Sequence, residues 1–421
     1  MNEHDSEQIA GILVDNGYEL IDNEDQADVV IFNTCCVRTT AEQRAIGRIT
    51  RLSSIKKIRP DFTIVVCGCI AQKDGEDLIT KYPFIDLVIG TRDLPNIANL
   101  LSEVRQKHSH LVNIDSIDKE FSFESKPILK SDLKAFITIM YGCNNFCSYC
   151  IVPYVRGREV SIPKKQIIDN IKRLVDSGIK EITLIGQNVN SYHDGTTDFP
   201  DLLSAVNDVS GIERIRYVTS HPKDCSDKLI DAVANLGHVC ENFHLPAQAG
   251  SNRILKLMNR GYLREDYIEL INKIRATIPN AVITTDLIVG FPGETDDEFE
   301  ETMDLLEKAR WDSSFMFIYS VRTGTKAEEL GDTVKEKIKK ERIARLIKRQ
   351  EEISEEINKN MLGSIEEILF ESVSKRNKSE LMGRTRGDKV IIVPADKSII
   401  RQTAKVKITR AAAHTIFGEI I

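Results

Sequence analysis

Apolar residues in the first hundred positions switch repeatedly between helical spacing and short unbroken runs. Ile9, Ile12 and Leu13 share one helical face between Asp5 and Asn16, whereas Ala27-Asp28-Val29-Val30-Ile31-Phe32 is a short continuous run suited to a buried strand. The same alternation continues. Glu42–Ile55 has helical spacing, Phe62–Val66 reads as a strand, a helical pattern lies near Gly75–Thr80, Ile85–Ile89 is a third strand, and Leu94–Val104 a closing helix. This predicts a doubly wound α/β domain over residues 1–105, whose ligands gather beyond the carboxyl ends of its strands. Asn33-Thr34-Cys35-Cys36 and Cys67-Gly68-Cys69 stand at two such ends. The pattern opens on a helix where a strand is expected, so the domain reads as cut at its amino end.

Residues 106–128 are polar and weakly periodic, which predicts a linker. From 129 to 360 the alternation resumes with a longer rhythm. Strands are expected at Ala135–Met140, Glu181–Ile185, Arg214–Val218, Asn242–Leu245, Val282–Val289 and Phe315–Tyr319. Helices are expected between them at Lys164–Ser177, Asp201–Val209, Asp224–Ala234, Arg264–Ile278 and Asp296–Ala309. Six β/α units predict a partial (β/α)6 TIM-type barrel, with its chemistry on the loops after the strands. Lys335–Asn360 is dense in Lys, Arg and Glu with recurring Ile and Leu, as expected of a solvated amphipathic helix bridging two domains. In residues 361–421 the period changes to two, over Ile365–Val373, Leu381–Thr385, Lys389–Val393, Ala404–Ile408 and Ile416–Ile420. That predicts a small C-terminal β-barrel.

Charge sharpens the division. The whole chain of 421 residues carries −7, yet residues 361–421 hold 11 Lys and Arg against 7 Asp and Glu. A basic tail on an acidic body suits contact with a polyanion. There is no signal peptide, no lipidation motif and no apolar run near 18 residues, so a soluble cytoplasmic protein is expected. Nine cysteines, seven of them in three tight groups, argue for metal in a reducing compartment rather than disulfides.

The densest group is Tyr141-Gly142-Cys143-Asn144-Asn145-Phe146-Cys147-Ser148-Tyr149-Cys150, directly after the first barrel strand. Three thiols cannot close a tetrahedral zinc site, whereas a [4Fe–4S] cube held by three keeps one iron open to a substrate. The loops after the other strands are also polar, among them Gly186–Tyr192, Thr219-Ser220-His221-Pro222 and Pro246–Ser251. His221 and His244 are expected as hydrogen-bonding residues, Cys225 and Cys240 as small core or surface residues, and Trp311, Phe315 and Phe317 as core. Arg156 and Arg158, just past the cysteines, are expected on a phosphate or in solvent.

The C-x3-C-x2-C spacing resembles the radical S-adenosylmethionine (SAM) superfamily. Together with Asn33-Thr34-Cys35, Gly68-Cys69, His244-Leu245-Pro246, Val289–Glu294 and the β-rich tail, it resembles the methylthiotransferases over essentially the whole chain. Met1–Ser6 and Gly186–Tyr192 are similar to the MiaB type, and the tail to a TRAM domain, an RNA-binding barrel.

The resemblance implies methylthiolation at C2 of N6-isopentenyladenosine, at position 37 of tRNA. Cys143, Cys147 and Cys150 would hold a [4Fe–4S] cluster whose open iron chelates SAM, and one-electron cleavage would yield a 5′-deoxyadenosyl radical. Tyr149, Gln187, Ile288 and Val289 are the implied SAM contacts; the family's Gly-x-Ile-x-Gly-x-x-Glu pattern is kept only in part, with Asp286 first and Glu294 shifted by one. Cys35 and Cys69 match two ligands of a second [4Fe–4S] cluster that serves sulfur insertion. Its third cysteine belongs to a Cys-x-Met-Asn segment, and this chain begins at that Met, so a truncated start is expected, with Cys36 or Cys67 as the less favoured replacement. Implied partners are tRNA, an electron donor such as flavodoxin or ferredoxin, and a sulfur source, with no membrane and a monomeric chain. The alternatives are methylthiolation of threonylcarbamoyl-adenosine in tRNA or of a ribosomal-protein aspartate, and a degenerate RNA-binding protein without activity.

Overall fold

In the computed structural model, which describes residues 1–36, 39–115 and 126–421, the chain divides into two compact units. One comprises Met1–Ser131, Met140–Phe146 and Cys150–Val160; the other comprises Asp132–Ile139, Cys147–Tyr149 and Ser161–Ile421.

The unbroken apolar runs of the first unit form a parallel sheet of β1 (Val29–Thr34), β2 (Thr63–Gly68), β3 (Leu87–Ile89) and β4 (Leu111–Asn113), in that order. Every residue of β2 is buried, because helices cover both faces of a parallel sheet. Strand alternation sorts its side chains. Ile64 and Val66 join Ile49, Leu52 and Leu78 from α2 (Thr39–Arg51), the adjoining turn and α5 (Glu76–Lys81). Val65 and Cys67 join Ile9 and Ile12 of α1 (Asn2–Asp15) and Ile97 and Leu101 of α6 (Ile97–Lys107). The helix expected near Gly75 is in fact two, α4 (Cys69–Asp74) and α5, broken at Gly75 with φ +49°. The stretch read as a linker contains the end of α6 and all of β4, which is half-buried and so carries little apolar signal. Residues 116–125 of that stretch lie outside the described residues.

In the second unit β5 (Lys134–Thr138), β8 (Glu181–Ile185) and β9 (Arg214–Tyr217) form one parallel sheet. A second is formed by β10 (Asn242–His244), β11 (Val282–Val289) and β12 (Ser313–Ile318). A bridge between Ile215 and Val239 joins them into the expected open barrel. The two-residue strand β6 (Met140–Tyr141) and the short helix α7 (Val152–Arg156), on either side of the cysteine loop, belong to the first unit, and β7 (Val160–Ser161) follows them. Outer helices begin on polar caps as their sequences suggest: Asp198 accepts from Asp201 N and Ser226 from Leu229 N. Thr295 and Glu298 form a reciprocal capping box. Trp311 is fully buried and donates to Tyr267 Oη at 2.8 Å. Phe315, expected in the core, is 55% exposed, because alternation along the edge strand β12 turns it outward from the packed face.

The charge-rich helix α14 (Glu336–Lys359) is less solvated than its composition suggests. Arg342 pairs with buried Glu294 at 2.6 Å, Gln350 donates to Trp311 O at 2.8 Å, and Asn358 donates to Ala412 O at 2.9 Å. It is thereby hydrogen-bonded to both the open barrel and the tail. The tail is a closed barrel of β13 (Ile365–Val373), β14 (Glu380–Arg384), β15 (Val390–Pro394), β17 (Ile416–Ile420) and β16 (Thr403–Ala411), around Ile368, Phe370, Leu381 and Val406. Arg214 and Arg216 of β9, one strand period apart, donate to Arg384 O and Arg386 O at 2.8 and 2.7 Å, fixing it to the barrel sheet. Among the described residues no helix is long and apolar enough to cross a membrane.

Candidate functional site

In the second unit, the buried Cys147 thiol faces Arg260, whose Nη1 lies 3.3 Å from Sγ and 3.4 Å from Tyr149 Oη. The remaining donors of Arg260 are used as well, Nη2 on Pro246 O at 2.8 Å and Nε on Tyr262 Oη at 3.1 Å. A guanidinium only 4% exposed is strongly disfavoured unless anions or acceptors surround it. The Cys147 sulfur, the Tyr149 and Tyr262 hydroxyl oxygens and Pro246 O together meet that demand. No local sequence pattern marks Arg260. It lies in a turn between two left-handed residues, Asn259 at φ +57° and Gly261 at φ +71°. Ser148 N donates to Met258 O at 3.0 Å, tying the cysteine loop to the same turn.

The loops beyond the barrel strands carry buried polar atoms with no hydrogen-bond partner: Gln187 Oε1, Asn188 Oδ1, Ser220 Oγ, His221 Nε2, Gln248 Oε1 and Ser148 Oγ. Each such atom costs about 1–3 kcal/mol if left bare, so the set fits a polar ligand that supplies both donors and acceptors. Thr219, at φ +73°, is β-branched in the left-handed region, a strained conformation typical of binding loops. Of the expected SAM contacts, Tyr149 and Ile288 pack against one apolar cluster with Tyr262. Gln187 stands on the loop after β8, and the Val289 side chain is fully buried.

His221 is built as a neutral donor. Asn190 clamps its backbone through two bonds of 2.9 Å, and its Nδ1 accepts from Lys223 N at 3.3 Å, leaving the proton on Nε2. Burial, then Arg260 and Lys223, lowers its pKa to about 2. A folded-state pKa below the unfolded value means that the unfolded chain takes up the proton first. Stability is therefore full above pH 6.5 and declines below it, by about 1.4 kcal/mol per pH unit. Buried His4, lowered to about 4, contributes with the same sign. Urea midpoints at pH 7.0 and 5.5 are expected to show this decline, and His221→Asn to reduce it. His244 hydrogen-bonds Thr284 Oγ1 at 3.0 Å and faces Asp286.

In the first unit, glycine at 68 (φ +87°) lets the ends of β1 and β2 touch. A Cβ there would lie 2.6 Å from Thr34 O. The close approach brings Cys36 and Cys69 into one buried layer with their thiols hydrogen-bonded, the Cys36 thiol pushed up and the Cys69 thiol lowered by that bond and by Arg156. Cys67 points the other way, into the layer under α1 and α6. β2 ends at Gly68, and the positive-φ turn there puts Cys69 in the opposite layer from Cys67, so of the two replacement ligands considered only Cys36 stands beside Cys69. Cys35 is half-buried at the end of β1.

Arg156 is not on the surface. It is buried, with Nη2 on Asp5 Oδ2 at 2.8 Å and Nε donating to Cys69 Sγ at 3.4 Å. Arg158 lies over the Phe146 ring. Cys143 and Cys150 are half-buried, and Cys143 N donates to Gly157 O at 3.1 Å. Among the described residues no three His, Cys, Asp or Glu side chains converge as closely as metal ligands do. The donor chemistry itself, soft thiols next to buried guanidinium groups, fits iron–sulfur centres.

Comparison with known proteins agrees with this chemistry. The Radical SAM superfamily matches residues 137–306, the TRAM domain residues 359–421, and the uncharacterized protein family UPF0004 residues 1–90. The tRNA-2-methylthio-N(6)-dimethylallyladenosine synthase of Desulforamulus reducens is 46% identical, over all of this chain and 93% of that protein. Its counterparts in Acetivibrio thermocellus and Clostridium botulinum (strain Loch Maree) are each 48% identical, over all of this chain and 89% and 95% of theirs. The radical SAM methyltransferase TsrM from Kitasatospora setae shares the fold at a TM-score of 0.55 and 15% identity, over 75% of this chain and 69% of that one. The radical SAM enzyme OxsB does so at 0.54 and 14%, over 80% of this chain and 53% of that one. The chain belongs to the MiaB-type family of radical-SAM methylthiotransferases, that of the tRNA-2-methylthio-N(6)-dimethylallyladenosine synthases.

Proposed function

We infer that this protein methylthiolates C2 of N6-dimethylallyladenosine at position 37 of tRNA. The observation that carries the reading is that relatives named for this activity match the whole chain, all three parts included. Residues 1–105 would house sulfur insertion, 129–360 radical generation and 361–421 contact with tRNA.

When bound, a [4Fe–4S] cluster and SAM supply a carbon radical able to break an unreactive C–H bond. Cys143, Cys147 and Cys150 would hold that cluster through thiolates. Arg260 offsets the negative charge gathered at Cys147 and, through Pro246 O, holds the loop after β10 in place. Tyr149, Ile288 and the backbone at Val289 would border the SAM adenine, with Gln187 Oε1 offering it an acceptor. The apolar cluster beside Tyr149 and Tyr262 excludes water, which protects a radical from quenching. His221 Nε2–H, Ser220 and Gln248 offer hydrogen bonds to polar ligand edges. Cys35 and Cys69 would bind a second cluster that serves sulfur insertion, beside the Arg156 cation. The basic tail barrel supplies charge for the tRNA backbone. An electron donor such as flavodoxin or ferredoxin and a sulfur source would complete the set, and a cytoplasmic setting would suit a tRNA substrate.

The test is an anaerobic assay of the iron-loaded full chain with SAM, a reductant and three acceptors. These are tRNA bearing N6-dimethylallyladenosine, tRNA bearing threonylcarbamoyl-adenosine, and ribosomal protein. Mass spectrometry is expected to find the methylthio group on the first alone. Product only on one of the others would replace the substrate assignment; 5′-deoxyadenosine without product would mean radical generation without sulfur insertion, and neither product nor 5′-deoxyadenosine would leave an RNA-binding protein.

A further inference from the structure

We propose that Arg156 is a positioning residue of the thiol centre in the first unit, holding Cys69 in its ligating direction and raising the reduction potential of a cluster bound there. The proposal rests on the reading of a second cluster at Cys35 and Cys69.

The guanidinium is fixed from outside the thiol group. Asp5 of α1 takes Nη2 at 2.8 Å and is itself only 1% exposed. The backbone beneath is held twice, by Arg92 Nη2 on Arg156 O at 2.8 Å and by Thr91 Oγ1 on Val155 O at 2.7 Å. With one charge already neutralised by Asp5, the ion pair alone does not require a further partner. Even so, Nε–H is aimed at Cys69 Sγ at 3.4 Å. A fixed cation with an N–H directed at a ligand sulfur stabilises the more negative, reduced form of an iron–sulfur cluster. The next residue, Gly157, accepts from Cys143 N at 3.1 Å, so a single turn serves both Cys69 and the first cysteine of the radical-generating loop. Gly142 at φ +76° permits that approach, since a Cβ there would meet Arg158 O at 2.0 Å. The structure thus provides a covalently short link, Arg156 to Gly157, between two thiol sites with different tasks.

The experiment uses the full chain with Cys143→Ala, Cys147→Ala and Cys150→Ala, so that iron reports the second centre only. Iron content and an EPR-monitored redox titration are compared for this parent and for the same chain with Arg156→Gln or Arg156→Lys. The expected result is retained iron with the midpoint shifted to more negative potential in Arg156→Gln, and a smaller shift in Arg156→Lys, which keeps the charge on Asp5 but loses the N–H to sulfur. Loss of iron from a folded Arg156→Gln chain, with retention in Arg156→Lys, equally supports positioning. If Arg156→Gln does not fold, Arg156→Lys decides by its midpoint. Unchanged midpoints with unchanged iron overturn the proposal while leaving the second centre standing. A parent that binds no iron overturns the second-centre reading, and the proposal with it.

Discussion

Cys147→Ala is expected to abolish reductive SAM cleavage, with 5′-deoxyadenosine falling to the level of protein-free controls. Two effects add at this position. The remaining thiols of the C-x3-C-x2-C loop are too few to hold a cube that leaves one iron open. The substitution also removes the sulfur partner of Arg260, leaving a buried guanidinium short of one acceptor. Cys147→Ser separates the two, since it keeps an acceptor for Arg260 but is a poor ligand for iron. It is expected to fold like the parent and to be equally inactive. Retained 5′-deoxyadenosine in either variant would remove Cys147 from the radical site, and with it the assignment of chemistry to this barrel.

Cys69→Ala is expected to split the reaction. SAM cleavage should persist, because Cys69 is not one of the three thiols of the C-x3-C-x2-C loop. Methylthiolated tRNA should vanish. If the loaded parent carries both clusters, iron should fall from about eight to about four per chain. Arg156 keeps Asp5 in the variant, so folding is expected to survive the loss of the sulfur contact. Methylthiolated product from Cys69→Ala would show that sulfur insertion does not use this thiol. Loss of 5′-deoxyadenosine as well would show that the two thiol sites are not independent.

Much of the architecture was legible in the chain because it is local. The strands at Glu181–Ile185, Val282–Val289, Ile365–Val373 and Ile416–Ile420 lie where periodicity placed them. Apolar runs of that length and spacing leave few alternatives. Where the element is short, the signal fails. β4 is three half-buried residues inside a polar stretch, and α7 is five residues ending on Arg156. Composition misled at α14, whose buried stripe includes Lys339, Arg342 and Gln350, each matched by a partner from a distant part of the chain.

The candidate site divides along the same line. Sequence alone determined most of the element order, the thiol spacings and the family, because each is written in neighbouring residues. It did not contain the separation of Cys67 from Cys69, which strand alternation alone would put on one face and the turn at Gly68 sends to opposite layers. Only the tertiary structure decided that Arg260 faces Cys147 across 113 positions and that Arg156 faces Cys69 across 87. It likewise decided that Cys36 lies beside Cys69 and that His221 is a neutral donor at Nε2. An arginine in a polar loop looks the same in sequence whether it meets water or a buried thiol. What distinguishes the two is the charge and packing of residues brought together by folding, which no local pattern records.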